Sequence, residues 1–106
     1  MFTFKKISLY DDKKPLIDKK LWAQIKNNRL FVYGIDSGPS VKSLLGADEY
    51  KFDYSFDEEN TLKIYDALET ENKDKEFESR FSGEAGAKNL RDFASEKGIV
   101  FQFKSY

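Results

Sequence analysis

Ser40, Lys42 and Ser43 are close in the sequence, and a hydroxyl beside an amine is the raw material of a Ser–Lys dyad. Neighbours on a helix point in different directions, however, so this trio does not converge. The turn that precedes it, Gly34-Ile-Asp-Ser-Gly-Pro-Ser, has the look of a phosphate loop. A true P-loop spaces its glycines further apart and follows the second with Lys. Here Pro39 follows Gly38, which removes a backbone N–H from any anion cradle, and Asp36 would repel phosphate. A strand-to-helix corner accounts for the residues better: Gly34 ends a strand, Ser37 or Gly38 caps a helix, Pro39 occupies its first turn and Gly46 ends it. The chain contains no His and no Cys, which removes the commonest general base, the most reactive nucleophile and any Cys- or His-ligated zinc site. Paired carboxylates, as in glycosidases, need a cleft, for which a chain this short has little room. Asp57-Glu58-Glu59 lacks the alternating ligands and central Gly of a calcium loop. We therefore expect no enzyme, no metal and no cofactor.

What remains is surface chemistry. Net charge is −1, but the charges are segregated. Residues 1–47 hold nine Lys and Arg against four Asp and Glu, whereas residues 48–78 hold four against twelve. An acidic middle can present a negative face to a basic protein partner, with Asp53, Asp57, Glu58, Glu59, Asp66, Glu69 and Glu71 as the charge candidates. Trp22 and Tyr33 are the aromatic candidates, since such side chains anchor interfaces, provided their face is open. A nucleic-acid module is the alternative, with the Lys-rich first half around Trp22, Phe31 and Tyr33 supplying charge and stacking. A pI near 5.5 and the acidic segment weigh against it. A small ligand-binding or hydrolytic domain is the third reading.

These residues must be held by something. The chain has 106 residues, 40% hydrophobic and 16% aromatic, which suits one folded domain, residues 1–106. Residues 2–9 read as a strand with a bulge near Lys5–Lys6 that brings Phe2, Phe4, Ile7 and Leu9 to one side. The polar stretch DDKKPLIDKK reads as a loop. Asn27-Asn28 between two apolar runs predicts a two-residue hairpin, pairing Ile25 with Leu30, Ala23 with Val32 and Trp22 with Tyr33. One face, Leu21, Ala23, Ile25, Leu30 and Val32, is core; the other mixes Trp22, Gln24, Phe31 and Tyr33. Tyr50, Phe52, Tyr54 and Phe56 alternate as a half-buried strand. Ser55 to Glu58 matches a capping box opening a helix with Leu62, Tyr65, Leu68 and Ile64 as its stripe. A short helix with Phe77 and Phe81 follows. Next comes a helix with Leu90, Phe93 and Ala94, with Gly98 as its left-handed stop, and then a strand with Ile99, Phe101 and Phe103 on one face. Strands first and helices grouped later imply an α+β fold: a mixed or antiparallel sheet of about five strands with helices mainly on one face.

The stretches RLFVYGIDSGPSVKSLLGADEYKFDY and RFSGEAGAKNLRDFASEKGIVFQF resemble segments of small standalone bacterial proteins. Their style is similar to that of bacterial immunity proteins, including those of contact-dependent growth-inhibition systems. The resemblance implies a cytoplasmic protein that neutralises one cognate toxin domain by direct binding, and it assigns no individual residue a role. No run is apolar and long enough to span a bilayer, and the N-terminus lacks the apolar core of a signal peptide, so no membrane partner is expected.

Overall fold

A computed structural model describes all residues from Met1 to Tyr106. The fold is α+β, with one antiparallel five-stranded sheet in the order β1-β2-β3-β4-β5. The strands are β1 (Lys6–Lys13), β2 (Asp18–Lys26), β3 (Arg29–Ser37), β4 (Glu49–Ser55) and β5 (Gln102–Ser105). Helix α1 (Pro39–Leu45) links β3 to β4, while α2 (Glu58–Ala67), α3 (Lys73–Phe81) and α4 (Gly86–Glu96) lie between β4 and β5. No helix is long and apolar enough to cross a membrane.

The β2–β3 hairpin has the register that the sequence predicts, from Lys26 opposite Arg29 to Trp22 opposite Tyr33. Asn27 (φ 51°) and Asn28 (φ 62°) both take left-handed conformations, as a type I′ turn demands. The hairpin is longer than expected. Residues 11–13 and 18–20 are strand, not loop, and only residues 14–17 turn the chain. Opposite charges across the ladder explain this: Asp11 faces Lys20, Asp12 faces Lys19 and Lys13 faces Asp18.

The first strand also begins later than expected. Residues 2–4 leave the sheet because Phe2 inserts between helices, its ring 5.1 Å from Tyr65 of α2 and 5.2 Å from Phe77 of α3. The bulge falls at Leu9, between the Ser8–Trp22 and Tyr10–Leu21 pairs, and not at Lys5–Lys6. The Leu9 carbonyl, freed from the ladder, accepts the Gly83 N–H at 2.9 Å.

One core joins the sheet to α2, α3 and α4. Leu21, Ala23, Leu30, Val32 and Tyr54 from the strands meet Ile64, Leu68, Phe77, Phe81, Leu90, Phe93 and Ala94 from the helical side. Helix α2 is rotated from the expected stripe: Thr61 and Ile64 are buried, while Leu62 faces solvent. Its N-cap is Asp57 and not Ser55, since the Asp57 carboxylate accepts the Asn60 backbone N–H at 2.8 Å. The Gly98 stop (φ 68°) is as expected. Gly34 does not end β3. It lies mid-strand beneath the Phe52 ring, where a Cβ would come within 2.1 Å of a ring carbon. Helix α1 closes one end of the sheet: its N-cap Gly38 donates to the Asp48 carbonyl, and Ser40 donates to that of Leu16. Beyond α1, Gly46 (φ 74°) ends the helix as expected.

Candidate functional site: an open sheet face

Helices cover one face of the sheet, and the register fixes which residues stand on the other. Cross-strand rows on this second face run Lys6–Gln24–Phe31–Ser55–Gln102 and Ser8–Trp22–Tyr33–Asp53–Lys104. A third row runs Asp11–Lys20–Ile35–Lys51, and a fourth Lys13–Asp18–Ser37–Glu49. The alternation that buries Leu21, Ala23, Leu30 and Val32 forces their sequence neighbours Trp22, Phe31 and Tyr33 outward. The aromatic candidates therefore occupy an open face, all three partly exposed.

Their rings lean on one another. Trp22 and Tyr33 are stacked at 5.4 Å with planes 25° apart, and Phe31 and Tyr33 at 6.0 Å and 11°. A cation closes each end of this ladder: the Lys6 ammonium lies 5.4 Å from the Trp22 ring centre and the Arg29 guanidinium 5.1 Å from that of Phe31. Side chains stand roughly perpendicular to a sheet, so these rings show their edges to solvent. The result is a pre-ordered apolar ridge at the centre of the face.

A polar cluster adjoins the ridge. The Tyr106 hydroxyl donates to the Asp53 carboxylate at 3.1 Å, and that bond raises the Tyr106 phenol above its usual range. Burial, followed by the nearby Asp53 carboxylate, pushes the Tyr33 phenol up as well. On the other side, where β1 bulges, a depression of about 340 Å³ is lined by Lys6, Ser8, Asp11, Lys20, Trp22 and Ile35, with Tyr10 and Leu21 at the bulge itself. Across the whole face Lys6, Lys13, Lys20, Lys26, Arg29, Lys51 and Lys104 outnumber Asp11, Asp18, Glu49 and Asp53.

The acidic candidates do not form one surface with the aromatic ones. Only Asp53 stands beside Tyr33. Asp57 caps α2, accepting both the backbone N–H and the side-chain Nδ2 of Asn60, which hold its carboxyl below the ordinary range. Glu58, Glu59 and Asp66 are exposed on α2, and Glu69 and Glu71 are exposed just after it. None of these five is in an ion pair, so the lysines of the first strands do not neutralise them. They belong to the helical layer, whereas Trp22 and Tyr33 belong to the bare side of the sheet. The depression and Ile35 are not expected from the sequence, and Lys20 enters there only among the lysines of the nucleic-acid alternative. The only signal was the parity that Lys20 and Ile35 share with Trp22 and Tyr33, hidden while Lys20 is read as loop. No protein-family model matches the chain, and no curated protein or solved structure is significantly similar to it.

Proposed function

We propose that this chain is a small binding protein of the bacterial immunity type, which neutralises a cognate toxin domain in the cytoplasm by covering part of its surface. The observation that carries the reading is the open face: a stacked ridge of Trp22, Tyr33 and Phe31 with a charged and polar rim. That is the composition of a protein interface, in which a few well-packed aromatics supply most of the energy and polar groups surround them. Ordering costs little, because the rings are already stacked and capped by Lys6 and Arg29. Asp53 sits beside the ridge as its one acidic candidate, and the exposed carboxylates on and after α2 solvate the helical layer.

Single-stranded nucleic acid is the second reading, favoured by the lysines around the rings. The ring geometry argues against it. Bases stack on open aromatic faces, and here those faces lie against neighbouring rings and cations.

Co-expression with the product of the neighbouring reading frame, which the proposal expects to be a toxin domain, tests it. Growth should be restored by the native chain and lost with Trp22→Ala plus Tyr33→Ala, with an unchanged circular dichroism spectrum. No rescue, together with a salt-sensitive shift of single-stranded DNA by the purified chain, would transfer the function to the second reading.

A further inference from the structure

We propose that the depression beside Trp22 is the anchor site of the open face, and that it receives an apolar side chain adjoining a carboxylate from an acidic segment of the protein partner. This rests on the binding reading above and adds the chemistry of the contact.

The floor is apolar: Trp22 and Ile35 are both partly buried there, and Leu21 at the bulge is a buried core residue. The rim is cationic. Lys6 and Lys20 are exposed, and neither is engaged in an ion pair, although Asp11 lies directly across from Lys20 in the register. Two ammonium groups against the one Asp11 carboxylate leave the lining with an excess of positive charge. The ammonium of Lys6 is already held over the Trp22 ring, so a ligand need not order it. The Ser8 hydroxyl, in the same cross-strand row as Trp22, adds a hydrogen-bond donor to the wall. The shape has a structural cause: the extra residue of the bulge breaks the regular β1–β2 surface at this point. A carboxylate between the two lysines would be partly shielded from water by the ring and by its own apolar neighbour, where ion pairing gains strength. The surrounding face extends the same preference, since its lysines and Arg29 outnumber its carboxylates. The contacting patch of the partner is then acidic, which reverses the expectation drawn from the acidic middle of the sequence.

The test uses the full chain, isotope-labelled, with phenylacetate as the probe, phenethylammonium as the opposite-charge control and a short oligothymidylate as the phosphate control. Phenylacetate should shift the Trp22 indole N–H and the Ser8 and Lys20 amide signals saturably. The double variant Lys6→Gln and Lys20→Gln should weaken the probe about tenfold while leaving the remaining spectrum unchanged, because both side chains are exposed. Equal or tighter binding of phenethylammonium would overturn the proposal. So would phenylacetate shifts scattered over the molecule, or displacement of phenylacetate by oligothymidylate. Growth rescue by co-expression is a separate readout. Rescue that survives loss of the phenylacetate site removes only this inference, and failure of rescue with the site intact removes only the toxin reading.

Discussion

Thr61 is fully buried in an otherwise apolar core, and its hydroxyl explains why a polar residue stands there. It accepts the Leu30 backbone N–H at 2.9 Å, where β3 has left its turn and no strand supplies an acceptor. Thr61→Val keeps the volume and strands that N–H, at a cost of about 1–3 kcal/mol, measurable by urea denaturation. Asn60 works similarly one residue earlier, accepting the Val100 N–H at 2.9 Å while donating to Asp57. Asp57 is consequently a pH-sensitive part of the fold. Its folded pKa lies below its unfolded value of about 3.9. The ionised carboxylate therefore stabilises the protein above that unfolded value, and the stabilisation is lost as pH falls through the folded pKa. Asp57→Asn keeps a capping oxygen but cannot ionise, so its stability should decline less steeply on acidification than that of the native chain. The decline should not vanish, because Lys14 and Tyr10 lower Asp12, and Lys88 lowers Asp92, in the same direction. Urea midpoints measured from neutral to acid pH check this; parallel curves for variant and native chain would refute the role given to Asp57.

At the scale of elements, Gly34 and Phe52 form a cross-strand pair in which the ring occupies the space a side chain would need. Gly34→Ala should displace the ring from its stacked neighbour Phe103 and destabilise the fold by about 1 kcal/mol. That cost should largely disappear in a Phe52→Ala background, a coupling that a double-mutant cycle measures. The sequence showed the hairpin register well, because Asn27-Asn28 and strict alternation over nine residues leave a one-residue slip no way to bury Leu21, Ala23, Leu30 and Val32 together. It concealed the extension of β1 and β2, because DDKK and IDKK look solvated when read alone, and their opposite charges meet only once the strands are paired. It misplaced the stripe of α2 for a related reason: apolar spacing favours Leu62, but the backbone donors of Leu30 and Val100 need Thr61 and Asn60 on the inner side. Of the candidate site, the two-faced character of the hairpin was legible from parity. Whether the helices would leave Trp22 and Tyr33 bare depends on where α2, α3 and α4 pack, which no local pattern encodes.

The whole molecule is a two-layer structure with unlike surfaces. The helical layer exposes Glu58, Glu59, Asp66, Glu69 and Glu71, while the bare sheet carries the aromatic ridge and an excess of lysine. The central claim is that binding uses the sheet. Two variants divide the possibilities: Trp22→Ala with Tyr33→Ala on the sheet, and Glu58→Gln, Glu59→Gln with Asp66→Asn on the helix. Both sets of positions are at least partly exposed, so folding should survive either change. The deciding measurement is the equilibrium affinity of each variant for the proposed toxin partner, sought as the product of the neighbouring reading frame, by titration calorimetry. The sheet variant should lose about thirtyfold or more, the scale of an interface hot spot, and the helix variant should stay within a few-fold of native. A sheet variant that binds like the native chain, with affinity lost in the helix variant, would contradict the claim.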